Sequence, residues 1–506
     1  MSIKDKLISN SIFLILFRFS DAIMFMVFWL ILGRAMIPAS YGIVALSLEI
    51  VSLVSSVGLV GMSAMVNKLI PELLKTEKKD ELQGVIYCSL AATLAASVLL
   101  SLGFVVTSVL APDLIKLDFS TMSLTAVAAV MAAMAVLSMN IHLGFQSTKR
   151  IFVTSFVSSL TMVALAFLSI RMNFGYTGAI IAFLAGSVIL FVTRLEKRFF
   201  TFSKHPAVNT ARIIKFAGPA FVVSLFTVLA NNTQAITLTI MENTTITGLF
   251  AVAMKIAFVL SVPSIISRGL FPILSELSVD KSSEPKQSRL ISLTFRYEAF
   301  MLFTAAALLI VFQQQLLLFF SNPDFMPALQ VLPAVVLANM FLSFSDHFLS
   351  SLYAIGEPEK YRNANLISTV AYLALSIALT YYFSLIGMAI AYLVYSILLT
   401  ALSYSYIRKS CATLRLPLKS TAKILISLAI SVSPLVFLQS MIPNVWIAIP
   451  FIVASMVVNV LVLSKLGFFI QEDLKILDYG IERMPIFKKE AYWLRVIFAK
   501  LVNIKD

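Results

Sequence analysis

Charge, histidine and cysteine are all scarce in this chain of 506 residues, and each shortage narrows the class of protein. Only 13% of the residues are charged, about half of the fraction that soluble domains carry. There are three histidines, and the P-loop, Gly-x-Ser-x-Gly and His-Glu-x-x-His motifs are absent, so no enzyme centre is recognisable. Of the two cysteines, Cys88 lies in an apolar run and Cys411 in a basic loop, which predicts no disulfide.

Long apolar runs fill the chain instead. Hydrophobic residues make up 59% of the sequence, and the mean hydropathy is +0.95. Runs of about 18 residues or more are long enough to cross the hydrocarbon layer, where the backbone must satisfy its own hydrogen bonds as helix. The sequence predicts an all-α polytopic membrane protein of about 14 transmembrane helices. The predicted spans are 11–33, 41–62, 84–110, 120–143, 151–170, 175–194, 214–238, 245–270, 293–319, 328–353, 363–383, 386–406, 421–441 and 445–466.

Lysine and arginine collect in alternate loops. One set of loops carries basic pairs and clusters such as Lys78-Lys79, Lys149-Arg150 and Arg408-Lys409, whereas the other set has little beyond Lys116 and Arg171. Because basic loops stay on the cytoplasmic side, we expect a multi-pass protein of the cell (inner) membrane with both termini in the cytoplasm. The net charge of +14 then faces anionic lipid headgroups, and no nucleic acid is needed to explain it.

The chain also contains an internal repeat. Tyr41-Gly42 and Thr247-Gly248 open similar segments, and the order of landmarks from Gly144 to Gly178 returns from Gly356 to Gly387. The copies lie roughly 200 residues apart, so each holds six spans in the same membrane orientation, the pattern of a pseudo-twofold transporter. The predicted parts are a six-helix lobe (1–205), a second six-helix lobe (206–412), two additional transmembrane helices (413–466) and a cytoplasmic amphipathic tail (467–506).

Several short motifs resemble those of polysaccharide and O-antigen (Wzx-type) flippases of the multidrug/oligosaccharidyl-lipid/polysaccharide (MOP) exporter superfamily. The similar motifs are Leu32-Gly33-Arg34 followed by Tyr41-Gly42 and Gly58-Leu59, Phe271-Pro272 followed by Ser275-Glu276, and Gly356-Glu357-Pro358. The resemblance covers nearly the whole chain, but the motifs are degenerate, and the span count, repeat and loop lengths carry most of it.

The resemblance implies a non-enzymatic transporter that moves undecaprenyl-diphosphate-linked oligosaccharide from the cytoplasmic to the outer leaflet by alternating access. Such a protein serves O-antigen, lipopolysaccharide, capsule or exopolysaccharide synthesis. The expected partners are the lipid-linked oligosaccharide, membrane lipids and the polysaccharide polymerase and chain-length machinery, with the chain itself a monomer. No cofactor is expected besides a coupling H⁺ or Na⁺. A multidrug cation antiporter of the same fold and a peptidoglycan-precursor lipid flippase remain alternatives.

Charged side chains inside the spans are the candidate site residues, because each costs about 2.5–3.5 kcal/mol or more at the bilayer centre. We expect Arg18, Lys255 and Arg296 to bind the diphosphate of the substrate. Arginine suits phosphate through its planar fork of donors, and lysine acts as a point charge. Neither a catalytic residue nor a metal ligand is predicted.

Four acidic residues, Asp21, Glu49, Glu298 and Asp346, are predicted to balance those cations or to bind the coupling ion. The competing interpretation is structural, with Arg18 paired to Asp21 and Glu49 paired to Lys255. A polar run in the seventh span is predicted to line the cavity, with interhelical hydrogen bonding as the alternative. Its members in this prediction are Asn231, Asn232 and Gln234.

Overall fold

The computed structural model describes residues 3–196, 199, 206–208, 210–278, 283–469 and 473, and these residues form eighteen α-helices and no β-strand. The helices are α1 (Ile3–Ala35), α2 (Pro38–Gly58), α3 (Met62–Lys75), α4 (Lys79–Leu110), α5 (Pro112–Ile115), α6 (Phe119–Gly144), α7 (Thr148–Arg171), α8 (Gly175–Arg194), α9 (Thr210–Asn231), α10 (Gln234–Met241), α11 (Thr244–Ala257), α12 (Ile265–Leu277), α13 (Glu284–Val311), α14 (Gln313–Phe320), α15 (Leu332–Ala354), α16 (Pro358–Ser410), α17 (Leu418–Leu438) and α18 (Val445–Lys465). Three 3-10 helices are also present, at Phe258–Ser264, Pro323–Gln330 and Gln439–Met441.

The number of membrane-crossing helices agrees with the sequence prediction. Within the described ranges, twelve helices are long and apolar enough to cross a bilayer. One of them, α16, has 53 residues and a non-helical bend at Ser384. Such a length, about 80 Å, is more than twice the hydrocarbon thickness, so α16 supplies two spans. Helix α9, which has 22 residues, lies at the predicted seventh span, and counting it as a further span gives the fourteen that the apolar runs predict, in a multi-pass membrane protein.

Several helices begin where the sequence places a capping residue. Pro38 opens α2 after the extended Ile37, because proline needs no donor in the first turn. The Asp118 carboxylate accepts the Thr121 N–H at 3.1 Å before α6. Asp118 thus satisfies one backbone donor at the start of α6, and Pro38 brings no N–H to the start of α2 that would need a partner.

The chain forms two compact units, each built from separated segments. The first unit consists of Met1–Ile256, Phe320–Val335 and Arg362–Tyr395. The second unit consists of Ala257–Phe319, Val336–Tyr361 and Ser396–Asp506. The predicted limits of the two lobes and of the additional helices stay a prediction. Of the predicted amphipathic tail, only 467–469 and 473 belong to the described residues.

Two clusters of buried side chains give the first unit its core. One cluster includes Leu69 of α3 and Ile141 of α6, and Ile213 of α9 joins it. The other includes Val54 of α2 and extends to Ala235 of α10. Both clusters thus combine helices of the first repeat with helices that begin the second, which places α2, α9 and α10 side by side.

A glycine contact marks the crossing of α2 and α11 in the first unit. A Cβ added to Gly42 would lie 1.8 Å from the Thr244 carbonyl oxygen, and one added to Gly248 would lie 2.0 Å from the Pro38 carbonyl oxygen. The two glycines occupy equivalent positions of the sequence repeat, and each packs against the backbone of the other copy. Backbones approach this closely in membranes only at small residues.

We predict that Gly248→Ala lowers the thermal stability of the purified protein in detergent, because the added methyl group forces the two backbones apart. Overpacking of this kind costs about 1–3 kcal/mol. The control is Gly103→Ala in α4, where a Cβ meets no atom within 4 Å and alanine is the better helix former. Equal melting temperatures for the two variants would contradict a required glycine contact.

Candidate functional site

A break between α9 and α10 lies at the predicted polar run of the seventh span. Helix α9 ends at Asn231 and α10 begins at Gln234, which leaves Asn232 and Thr233 outside both helices. The Thr233 hydroxyl donates to the Leu229 carbonyl at 2.8 Å, and the Gln234 amide donates to the Ala230 carbonyl at 3.0 Å. These side chains thus satisfy carbonyl groups at the end of α9, which need a partner wherever a helix breaks inside a membrane.

The new helix start at α10 is capped by Glu49 of α2. The Glu49 carboxylate accepts the backbone N–H of Ala235 at 2.7 Å. The first turn of a helix carries unpaired N–H groups and the positive end of the helix dipole, both of which favour an anion. Glu49 therefore has a local structural partner even without a second charged side chain.

Lys255 of α11 faces the same region. Its Nζ lies 4.6 Å from the ring centroid of Trp29 and 5.6 Å from that of Phe25, both on α1. An ammonium group over an aromatic face is stabilised electrostatically, more strongly where water is excluded. Lys255 also interacts electrostatically with Glu49. Both side chains belong to the first unit, and the roles predicted for Glu49 and Lys255 stay predictions.

These side chains line a cavity of about 190 Å³. Its polar lining includes Glu49, Ser52, Asn232, Gln234, Thr247 and Lys255. Pockets that hold drug-sized ligands are typically about 300–1,000 Å³, so this cavity accommodates a small polar group rather than a whole glycolipid. Its polarity and its size fit a headgroup fragment or several water molecules.

Trp29 lines this cavity and carries a buried hydrogen-bond donor without an acceptor. Its side chain is 2% exposed, and its Nε1 is buried without a hydrogen-bond partner. A buried donor without an acceptor costs free energy, so a turn of the indole that brought this N–H to the cavity would favour a ligand that carries oxygen acceptors. Sequence reasoning missed Trp29, because an aromatic residue in an apolar span usually serves only to fill space in the packing or to face lipid.

Arg18 and Asp21 belong to a different group of side chains in the first unit. Asp21 accepts a hydrogen bond from Ser159 at 3.1 Å and interacts with both Arg18 and Arg194. Arg194 is 2% exposed and donates to Thr154 and Ser155, among others. Arg18 and Arg194 are therefore both cations in the electrostatic surroundings of Asp21, and the role predicted for Arg18 and Asp21 stays a prediction. The sequence does not single out Arg194, because it ends a span next to a basic loop and resembles an interfacial charge.

The other predicted residues are in the second unit, apart from Asn231, whose side chain is outside the described part. Arg296 is buried near the middle of α13, where it donates to Asp473 and, at 3.1 Å, to the Tyr297 hydroxyl. Asp346 is exposed and interacts electrostatically with Tyr361. The binding role predicted for Arg296 stays a prediction, and its observed partner is an acidic side chain.

Glu298 forms a buried contact that the sequence did not predict. Its carboxylate lies 2.7 Å from Nδ1 of His347, and Ser267 bridges the two side chains. Both residues are fully buried in the second unit. No group of three or more His, Cys, Asp or Glu side chains that could hold a metal ion occurs among the residues placed by the structure.

Comparison with known sequences finds a profile for polysaccharide biosynthesis proteins that matches residues 7–278. This range includes every side chain named above as lining the cavity. No curated protein sequence matches the chain significantly.

Solved structures of similar fold cover most of the chain. The lipid II flippase MurJ in an inward closed conformation is 18% identical with a TM-score of 0.68, covering 90% of this chain and 98% of its own. An inward-facing multidrug resistance MATE family transporter of the MOP superfamily is 16% identical with a TM-score of 0.63, covering 78% and 94%. A MOP superfamily transporter from Pyrococcus furiosus, described by a reverse polarity of its binding pocket, is 16% identical with a TM-score of 0.53, covering 81% and 96%. At such identities the likeness establishes a shared all-helical transporter fold.

We predict that Glu49 and Lys255 are energetically coupled. Glu49→Gln keeps an oxygen for the Ala235 N–H but removes the charge that balances Lys255, and Lys255→Met leaves Glu49 without its cation. Removing one partner of a buried pair costs about 3–5 kcal/mol, whereas replacing both is often near neutral.

The measurement is a double-mutant cycle on thermal unfolding in detergent. The double variant Glu49→Gln/Lys255→Met should be more stable than the sum of the two single losses predicts. Additive losses would show that the two charges are independent.

Proposed function

The chain belongs to the polysaccharide biosynthesis protein family, and from this premise we propose that it flips undecaprenyl-diphosphate-linked oligosaccharide units from the cytoplasmic to the outer leaflet. The family and the fold are those of membrane transporters and flippases, and the proposed product serves O-antigen, capsule or exopolysaccharide synthesis. The proposed location is the cell (inner) membrane, with both termini in the cytoplasm.

The observation that carries this proposal is the set of donors in the cavity of the first unit. Lys255 lines the cavity with an ammonium group, and Trp29, which also lines it, holds a buried indole N–H without a partner. A diphosphate presents negative charge and several acceptor oxygens, which match a cation and neutral donors. Sugar hydroxyls next to the diphosphate can use the polar side chains of Ser52 and Asn232, which line the same cavity.

The Lys255 ammonium is stabilised by its surroundings without forming a close ion pair, so it can still bind an anion. Its contacts are the aromatic faces of Trp29 and Phe25 and a longer-range interaction with Glu49. A lysine on a flexible stem can exchange an aromatic face for a phosphate. Glu49 in turn keeps the Ala235 N–H as a partner when the ammonium moves.

The same contacts disfavour a multidrug cation antiporter. A cationic drug would use aromatic faces and a carboxylate. Here the faces of Trp29 and Phe25 are occupied by the ammonium of Lys255, which would also repel the drug. The multidrug alternative would need this lysine to leave the site.

A second candidate function is flipping of the lipid-linked peptidoglycan precursor. The likeness to the lipid II flippase, with a TM-score of 0.68 over 90% of the chain, favours it at the level of fold. Both substrates carry a diphosphate, so the cavity chemistry suits either one. The two functions differ in the sugars, which makes a genetic test decisive.

We predict that deletion of the gene abolishes surface polysaccharide and traps lipid-linked sugar units on the cytoplasmic leaflet. Wild-type protein restores export, and Lys255→Ala, which removes the cavity cation, does not. Lys419→Ala is the matched control, because this lysine is exposed at the start of α17. The readouts are surface polysaccharide and the leaflet distribution of the lipid-linked units, with protein levels checked by immunoblot.

Other outcomes would replace the proposal. Normal polysaccharide together with new sensitivity to cationic drugs would indicate a multidrug antiporter. Rescue of a strain depleted of its essential peptidoglycan flippase would indicate the peptidoglycan precursor. Full export by Lys255→Ala would remove this lysine from the binding site.

The predicted orientation has its own test. Reporter enzymes that are active only in the cytoplasm should be active when fused to either terminus, because the basic loops stay on the cytoplasmic side. A reporter that is active only outside the cytoplasm should be silent at both positions. Opposite behaviour at the two termini would require an odd number of spans.

A further inference from the structure

Three polar side chains form an enclosed cluster in the second unit. His347 of α15 and Glu298 of α13 are 0% exposed, and Ser267 of α12 is 2% exposed. Nδ1 of His347 lies 2.7 Å from Oε2 of Glu298. The Ser267 hydroxyl lies 2.9 Å from the same carboxylate oxygen and 3.0 Å from the same ring nitrogen. Groups of this kind are rare inside membrane helices and generally functional.

The backbone fixes one proton of the imidazole. Nε2 of His347 lies 3.1 Å from the carbonyl oxygen of Ile291. A carbonyl oxygen can only accept, so Nε2 carries hydrogen and donates it. In the tautomer whose only hydrogen is on Nδ1, the lone pair of Nε2 would face a lone pair of the Ile291 carbonyl oxygen, which is repulsive.

A second proton must lie between the ring and the carboxylate. With Nε2 protonated, a neutral ring presents a lone pair at Nδ1, which would face the lone pairs of Glu298 at 2.7 Å. Contact at this distance requires a hydrogen between the two atoms, either as imidazolium with carboxylate or as imidazole with carboxylic acid. In both arrangements the pair is neutral overall, and the proton belongs to the pair rather than to one residue.

Aromatic rings surround the pair, and the nearby charged groups have other partners. The ring of Phe295 lies 5.7 Å from that of His347, and Phe348 lies 5.5 Å from it, edge to face. On α13, Arg296 is bound to Asp473 and Tyr297. On α15, Asp346 interacts with Tyr361, and Tyr404 of α16 packs its ring against Phe348. The second oxygen of Glu298, Oε1, is buried without a partner.

We propose that His347 and Glu298, bridged by Ser267, form a proton-binding site in the second unit and that its proton is the ion coupled to transport. The second clause rests on the proposed function. Binding places one proton between Nδ1 and Oε2 and leaves the pair neutral. Release of that proton leaves one net negative charge and two facing lone pairs, so α13 and α15 must separate or admit water at this point. Proton occupancy thereby selects between two packings of these helices.

The chemistry of the cluster favours H⁺ over Na⁺. Hard cations are bound by several oxygen ligands, whereas the closest neighbour of the Glu298 carboxylate is a ring nitrogen. Leaving Oε1 of Glu298 without a hydrogen-bond partner costs little free energy in a neutral carboxylic acid but much more in a buried carboxylate. Both features suit a site that is loaded by a proton.

The proton site is tested without any lipid substrate, by infrared difference spectroscopy of the purified full-length chain during a pH change. The wild type should show a pH-dependent carboxyl or imidazole band that is lost in both Glu298→Gln and His347→Gln. The glutamine at position 298 can still donate to Nδ1, so it keeps the packing and removes the shared proton. The matched control is His142→Gln. His142 is also buried and bonded to a backbone carbonyl, at 2.8 Å, but its Nδ1 is 3.9 Å from Glu196.

The second arm measures coupling in vesicles that contain the lipid-linked oligosaccharide. An imposed pH gradient should accelerate flipping by the wild type and His142→Gln, and should not accelerate flipping by Glu298→Gln. A band that survives in Glu298→Gln, or that is lost only in Glu49→Gln, overturns the proton site. An intact band with gradient-independent flipping overturns the coupling. An intact band with no flipping of this substrate leaves the proton site supported and counts against the proposed function alone.

Discussion

The break between α9 and α10 is the feature on which the cavity of the first unit depends. In hydrocarbon, every backbone donor and acceptor freed by such a break needs a new partner. The side chains of Thr233 and Gln234 satisfy carbonyls of α9, and Glu49 satisfies the N–H of Ala235 at the start of α10. This capping role fixes a carboxylate inside the membrane, and the carboxylate in turn stabilises the ammonium of Lys255. One interruption of a helix thus leads to a charged, polar cavity.

The two buried charge systems differ in a way that suits different tasks. Glu49 and Lys255 line a cavity, and their partners are a backbone N–H and aromatic faces, all of which leave room for a ligand. His347 and Glu298 touch each other directly, with Ser267 and the Ile291 carbonyl completing the cluster. A close contact of this kind has space for a proton and for little else. The first arrangement can bind a headgroup, whereas the second can store one proton.

Much of the fold could be read from the sequence, because hydropathy reports helix length directly. The structural interpretation of the sequence paired Glu49 with Lys255, and both side chains line one cavity. The helix break was not predicted, since residues 231–234 interrupt an apolar run without proline or glycine. The contact of Glu298 with His347 was missed as well. The two residues are 49 positions apart in the chain, and the sequence pattern of neither helix indicates that it packs against the other. The sequence does not distinguish Trp29 from the other apolar side chains of its span, because its role depends on a lysine more than 200 residues away.

The size of the cavity shows what a transport cycle must change. A space of about 190 Å³ cannot take a lipid-linked oligosaccharide, so under the proposed function α2 has to move away from α11. The contact that resists this movement is the glycine crossing at Gly42 and Gly248. The crossing contains little interlocked side-chain volume, so separating it costs mainly dispersion contacts. Losing the Ala235 N–H would leave Glu49 as a buried anion that depends on Lys255 alone, so the start of α10 has to stay with Glu49 while Lys255 turns to the substrate. The hydrogen bond at the helix break is thereby the contact that leaves the lysine available to the substrate.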